Sequence, residues 1–370
     1  MTPTKHPKIL ILSKARYGKG GVAAFNRSLL NNADKIQFTG FDIGSRGAGR
    51  SGGFSGLIWL IVDAIKLSLT LRRETYDAVL LNPSFNIKSL LRDMIFFVIC
   101  LAYKKKTAIF FHGWDQTLCS KIQKKTNVKK ILSLAFKKCH LFFVLASSFK
   151  KQLIEFDISA DRITTTTTFY EPTDIYNGKK HTRNNISILF LGRIERKKGI
   201  YELLSAFENI IANGINAELH LAGECSDEKI SAAIEAATIR TQRISTHGFI
   251  KNHAKVSLLR SSDILALPSY SEGCPLAIIE SMASGLAIVA TDVGGVPDIV
   301  SRSSGILIPP ASTKDLAIAL TELCEDNKRR EAATTHNQNH AQKYYSAEVY
   351  VTEFEKILIS KLKLNNGIRT

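Results

Sequence analysis

Arg193 and Lys198 stand five positions apart in FLGRIERKKG, directly after the apolar run ISILFLG. That spacing puts two cations on a loop leaving the carboxyl end of a strand. A guanidinium offers a two-pronged fork and an ammonium a mobile point charge, so the pair suits a diphosphate. A plain basic surface loop would look the same. Further on, DILALPSYSEGCPLAIIESMASG carries Glu272 in a polar loop and Glu280 eight positions later, on a helix whose first turn begins at Pro275. Free amides at Leu276 and Ala277, with the helix dipole, would draw the anionic end of a ligand there. A carboxylate in the loop can accept from a sugar's hydroxyls while one on the helix reaches the ribose of a nucleotide. Taken alone, Glu280 reads equally well as a salt-bridged helix residue.

The first half offers two weaker constellations. The run ILILS is followed by KARYGKGGVAAFNRSLL, where Gly18, Gly20 and Gly21 precede a helix and would let backbone approach a phosphate. In AIFFHGWDQ a strand delivers His112 to its carboxyl end, with Trp114 and Asp115 beside it. Such a histidine could hydrogen-bond a sugar hydroxyl and such an indole could stack on an acceptor ring, although a structural loop histidine fits the same pattern. The six cysteines form no C-x-x-C pair and have no histidine at zinc-ligand spacing, so neither a disulfide framework nor a structural zinc is indicated.

Elements must hold these groups, and a length of 370 residues predicts about two domains. Short β-branched or aromatic runs alternate with segments of helical period, the pattern of parallel sheets with crossover helices. Strands are expected at residues 8–12, 37–42, 78–81, 108–111 and 141–145, then at 187–191, 218–222, 246–249, 264–267 and 287–291. The class is α/β, with two Rossmann-like domains. A polar stretch with glycine at residues 176–185 reads as a linker, giving domains at 1–180 and 181–346. Residues 347–364 have helical period, and a C-terminal helix in 347–370 would cross back to the first domain. The threonine run at 164–168 is most simply a strand.

Apolar residues at 45% and charged residues at 22% exclude a disordered or fibrous chain. The net charge of +17 is unevenly placed: residues 1–183 carry +18 and residues 184–370 carry −1. Between Lys104 and Lys151 there are 12 basic residues and one acid, Asp115. This density suits phosphates or an anionic leaflet, or simply a solvated surface. Nucleic acid is disfavoured, since aromatic interleaving and recognition motifs are missing. No secretory apolar run follows the start, so a cytoplasmic protein is expected. The longest apolar run, MIFFVICLAY at residues 94–103, has 10 residues where a membrane span needs roughly 20, leaving a buried or an interfacial helix.

The second half resembles the nucleotide-sugar-binding domain of the GT-B glycosyltransferases, specifically the large retaining family 4. GRIERKKG is similar to that family's G-R-x-x-x-x-K-G, and EGCPLAIIE to its E-x7-E signature. SMASGLAIVATDVGGVPDIV and GILIPP follow in matching order, so the likeness runs almost continuously from Ile186 to Pro310. The resemblance implies two Rossmann-like domains facing each other across a cleft. It implies a retaining, metal-independent hexosyltransferase that moves a sugar from a UDP- or GDP-sugar to an acceptor hydroxyl. The acceptor would be a lipid-linked saccharide in the biosynthesis of lipopolysaccharide, capsule or exopolysaccharide, on the inner face of the cell membrane.

By the same resemblance, Arg193 and Lys198 hold the diphosphate and stabilise the leaving nucleotide, Glu280 binds the ribose, and Glu272 addresses the transferred sugar. Backbone at Gly273, Cys274, Pro275 and Leu276 completes the cradle, and HGFI places the base near Phe249 and Ile250. Gly20 and Gly21 match a Gly-Gly pair that faces the donor, His112 a histidine near the transferred sugar, while Trp114 and Asp115 would serve the acceptor. No cofactor is expected: two cations can neutralise a diphosphate, and no D-x-D pair occurs. Two departures stand out, TTTTTFYEP in place of an Asn-Gly turn and Cys274 in place of an aromatic or other apolar residue. An epimerase or phosphorylase of the same fold, or a catalytically silent membrane-binding protein, are the rival readings.

Overall fold

The computed structural model describes residues 6–14, 21–43, 54–171 and 185–364. The chain divides into two compact units, residues 1–167 with 348–370, and residues 168–347. In the first unit the order is β1 (Lys8–Lys14), α1 (Gly21–Asn32), β2 (Gln37–Ile43), α2 (Phe54–Arg73), β3 (Ala78–Leu81), α3 (Ile87–Ala102) and β4 (Lys106–Phe111). Then come α4 (Gln116–Lys124), α5 (Thr126–Phe136), β5 (Leu141–Val144), α6 (Ser147–Ile154) and β6 (Ile163–Thr165). They build a six-stranded sheet ordered β2-β1-β3-β4-β5-β6, with every pairing parallel.

A parallel sheet covered on both faces needs strands that are apolar throughout, and AVLL of β3 and LFFV of β5 are buried at every position. Their alternation sorts the two cores. Val79, Leu81, Ile109, Phe111, Phe142 and Val144 point to one face, where they join a cluster with residues of α2, α3, α4, α5 and α6. Phe110 and Phe143 point the other way and meet Phe25 of α1 and Phe354 of α14 (Ala347–Leu362), the helix that returns the chain to this unit. That return is fastened by the buried Glu355, which accepts from the amides of Asp34, Lys35 and Ile36 at 3.3, 2.8 and 2.7 Å.

The second unit runs β7 (Ile186–Leu191), α7 (Ile200–Ala212), β8 (Ala217–Ala222), α8 (Glu228–Thr241), β9 (Ile244–Gly248), α9 (His253–Ser261) and β10 (Ile264–Leu267). It continues with α10 (Leu276–Ala283), β11 (Ala287–Thr291), α11 (Val296–Ile299), β12 (Gly305–Ile308), α12 (Thr313–Glu325) and α13 (Asn327–Tyr344). The sheet is again six-stranded and parallel, ordered β12-β11-β10-β7-β8-β9. Two such sheets with flanking helices are the GT-B architecture.

Three expectations need correction. GILI forms a strand, β12, which its four residues between serine and proline runs do not announce. β9 begins at Ile244 and stops at Gly248, so Phe249 lies beyond the strand. The threonine run is a strand only as far as Thr165, because Thr168, already part of the second unit, turns its amide and hydroxyl onto Cys274. The division at Thr167 also precedes the polar stretch at residues 176–185, of which 176–184 lie outside the described residues.

Candidate active site

The cation loop is fixed by close backbone approach. Arg196–Lys198 make one tight helical turn ending at Gly199, whose φ of +72° is left-handed and where a Cβ would stand 2.0 Å from the Pro268 carbonyl oxygen. Only glycine lets the exit of β7 lie against the exit of β10. The Tyr270 amide donates to Lys197 O at 2.9 Å, and the Tyr270 hydroxyl donates to Glu202 of α7 at 2.5 Å, binding the two loops further. At the other side Gly294, with φ +58°, abuts the Glu272 carbonyl, where a Cβ would come within 1.7 Å. The Gly295 amide donates to Gly273 O at 2.8 Å. The EGCP loop is therefore clamped between the exits of β7 and β11.

Inside this clamp Lys198 Nζ meets Glu272 Oε1 at 2.5 Å, and the Ser269 hydroxyl donates to the same oxygen at 2.7 Å. Both charged side chains are largely shielded, at 17% and 9% exposure, so their attraction is less screened than that of a surface pair. Arg193 is more exposed and pairs with Glu195 at 2.6 Å, while Lys197 meets the other Glu195 oxygen at 3.0 Å. The hydrogen bond from Lys197, then the charge of Arg193, hold the Glu195 carboxyl below its usual range.

Glu280 is buried on the inner side of α10, with Lys255 Nζ of α9 at 2.8 Å from its Oε1. The ion-paired reading of Glu280 is thus realised, and the same carboxylate lies one helix turn from the loop. α10 has Pro275 at its cap position and no side-chain cap, so a ligand oxygen could take the amides of Leu276 and Ala277. The cap position, one residue before the first turn, replaces the expected first-turn place of Pro275. Burial pushes the Cys274 thiol up to about 11, so it serves packing and backbone presentation. Beside Ile194, at the exits of β8 and β9, a cavity of about 600 Å³ is lined by Gly223, Glu224, Thr246 and Phe249 among others. Ile250, half-buried, follows Phe249 directly.

In the first unit β4 carries its chain through Phe111 to His112, whose ring stacks on Phe110 at 3.9 Å. Its Nε2 is 3.3 Å from Asn82 Oδ1, and Asn82 Nδ2 donates to Asn26 Oδ1 at 2.8 Å. Oδ1 can only accept, so Nε2 carries the proton and Nδ1 is the acceptor. Burial lowers the His112 pKa to about 3, so the ring works neutral.

Trp114 does not fit acceptor stacking. Its ring stacks on Phe85 at 4.2 Å and on Phe149 at 4.8 Å, and its Nε1 donates to Gln152 at 2.6 Å. The indole is a packing residue. Asp115 caps α4, accepting from the Leu118 amide at 2.9 Å. Gly20 lies outside the described residues, and Gly21 opens α1 with open space where a Cβ would be. Sequence reasoning missed Lys255, Ser269, Asn82 and Asn26. Single polar residues without a spacing partner carry no signal, and only the fold sets them beside Glu280, Glu272 and His112.

Comparison with solved structures shows the GT-B fold. The protein is similar to Anabaena Alr3699/HepE, solved in complex with UDP, with a TM-score of 0.74 at 15% identity over 95% of this chain and all of that one. Residues 174–340 match the model of the family described as Glycosyl transferases group 1. The chain is similar to a D-inositol 3-phosphate glycosyltransferase of Corynebacterium kroppenstedtii, 32% identical over 42% of this chain and 37% of the relative. It is also similar to the capsular polysaccharide biosynthesis glycosyltransferase CapM of Staphylococcus aureus, 24% identical over 51% and 50% of the two chains. The chain thus matches half the length, or less, of these relatives.

Proposed function

We propose that this protein is a retaining glycosyltransferase that moves a sugar from a nucleoside diphosphate donor to an acceptor hydroxyl. The observation that carries the reading is the clamp of the EGCP loop, which sets Lys198, Glu272 and the uncapped start of α10 together at the carboxyl ends of β7 and β10. Ligands of open α/β sheets bind at such strand ends.

Arg193 and Lys198 would hold the diphosphate with the amides of Leu276 and Ala277. Glu280 would accept from the ribose, and the cavity beside Phe249 and Ile250 would seat the base. Glu272 uses one oxygen on Lys198 and Ser269, leaving the other for hydroxyls of the transferred sugar. His112 Nδ1 would accept from a sugar hydroxyl. In transfer the bond from the anomeric carbon to the β-phosphate oxygen breaks, the acceptor oxygen takes its place, and the acceptor's proton leaves with the phosphate. Charge grows on the departing diphosphate, and each well-placed donor group there is worth about 3 to 4 kcal/mol. Two side-chain cations offset that charge, which supports a metal-independent reaction, and we assign no covalent nucleophile.

The acceptor we infer is a lipid-linked saccharide in surface polysaccharide biosynthesis, reached at the inner face of a cell membrane. The charge of +18 on residues 1–183 supports an anionic surface as its setting. The likeness to CapM, a capsular polysaccharide biosynthesis glycosyltransferase, supports a surface polysaccharide as the product. The test is a screen of isotopically labelled UDP-, GDP- and ADP-sugars with lipid-linked acceptors, the product linkage being read by NMR. Label in an acceptor with retained anomeric configuration supports the assignment. Epimerised donor, sugar 1-phosphate or unchanged donor would overturn it.

A further inference from the structure

The outer sides of α2, α3 and α5 are apolar where solvent-facing helices are normally polar. On α2, Leu57, Ile61, Ile65 and Leu69 recur every four residues, each exposed. On α3, Ile87, Leu91, Ile95 and Val98 form a second exposed row, with Leu91 at 68%. Val128, Ile131 and Leu134 form a third on α5, with Ile131 at 67%. These are not the stripes that hold the unit together. Leu67 and Leu71 of α2, Phe96, Phe97 and Cys100 of α3, and Phe136 of α5 already fill the core beneath them. All three helices cover the same face of the sheet, so the second stripes belong to one side of the molecule.

Charge identifies what covers that side. Within α2 and α3 the acids are Asp63 and Asp93, and both are buried. α4 and α5 contain no acid. The exposed charges carried by α2, α3 and α5 themselves are therefore cations, including Lys66, Arg72 and Arg73 on α2, Lys88 on α3 and Lys130 on α5. Where α3 and α5 end, a cavity of about 620 Å³ adds Lys106, Lys137, Lys138, Arg162 and Lys361 against the single acid Asp161. A second copy of this chain would bring the same cations face to face. An anionic lipid surface instead matches both the apolar rows and their basic surround.

We propose that the first unit docks on anionic membrane through this face, with the α2 and α3 rows entering the headgroup and acyl boundary. The inference rests on the membrane setting given above and names the surface that achieves it. Segment 94–103, which the sequence leaves as either buried or interfacial, is both. Phe96, Phe97 and Cys100 face the core, whereas Ile95 and Val98 face outward.

The protein contains two tryptophans, and they make the test specific. Trp59 lies on α2 at 38% exposure, while Trp114 is stacked between phenylalanines. The full chain is mixed with vesicles of phosphatidylcholine alone or with phosphatidylglycerol, including brominated acyl chains, over a salt series. Binding to the anionic vesicles with quenching of Trp59, persisting in part at high salt, is the expected result. The triple variant Leu91→Gln, Ile95→Gln, Val98→Gln should bind at least about tenfold more weakly with an unchanged melting temperature, because it removes exposed apolar area only. Binding without quenching, equal binding by the folded variant, or a concentration-dependent dimer that the variant abolishes would overturn the proposal. Donor and acceptor are absent from this assay, and sugar transfer to a water-soluble acceptor is measured separately. A failed docking surface and a failed transferase assignment thus give different results.

Discussion

Each unit is built on its own six-stranded parallel sheet, but the two differ in the chemistry of the surface they expose. The second unit, near electrical neutrality, places polar residues on loops at strand ends and shields two of its ion pairs, Lys198 with Glu272 and Lys255 with Glu280. The first unit carries the positive charge and leaves apolar rows of three helices uncovered. On the proposed reading, one layer architecture holds a diphosphate through clamped loops in the second unit and meets an extended surface through helix faces in the first. Loop clamps leave spacing signatures; helix faces leave only composition.

Removing the central cation should break the second unit's side of this contrast most severely. Lys198→Ala is expected to lower turnover by about 100- to 1,000-fold, checked by initial rates beside a thermal melt. Turnover near that of the unchanged protein would take Lys198 out of the site. Glu280→Ala acts on stability as well as on ligand, because it strands Lys255 in a shielded position. A loss of about 3 to 5 kcal/mol in denaturant melts is expected, and the pair Lys255→Met with Glu280→Leu should recover most of it while remaining inactive. An unaltered melt for the single variant would show that the ion pair contributes nothing.

His112 sharpens the contrast from the first unit. His112→Ala should depress kcat more than it raises the donor KM, as expected of a group that meets the sugar mainly in the transition state. Its protonation makes a second prediction. Burial holds the ring at about 3 against an ordinary 6.5, so below pH 6.5 the unfolded chain takes up a proton that the folded chain refuses. This contribution to stability is intact above 6.5 and is lost as pH falls towards 3, at up to about 1.4 kcal/mol per pH unit. His112→Asn should flatten that part of the slope in melts taken between pH 7 and 4.5. The smallest effect is expected of Asp115→Ala, about 1 kcal/mol from a lost helix cap with turnover unchanged.

Most strands and the loops after β7 and β10 were legible because parallel strands buried on both faces are continuous apolar runs, and because the spacings of Arg193, Lys198, Glu272 and Glu280 put them on those loops and on the helix that follows. Trp114 was misread: an indole two residues after a strand-end histidine signals nothing about which rings stack on it, and Phe85 and Phe149 come from distant positions. Lys255 and Asn82 were invisible for the same reason. Their partners are set by packing across the fold, not by periodicity along the chain. The outward rows of α2 and α3 were hidden within runs apolar on every side, where only packing separates the core stripe from the exposed one.

The central claim is that the clamped loops of the second unit hold the donor's diphosphate. Its most direct test is calorimetric titration of UDP, GDP and ADP into the unchanged protein, Lys198→Ala and His112→Ala. One nucleotide should bind the unchanged protein and His112→Ala alike, and binding to Lys198→Ala should fall by about tenfold or more. Equal nucleotide affinity in Lys198→Ala, with its fold intact, would contradict the account.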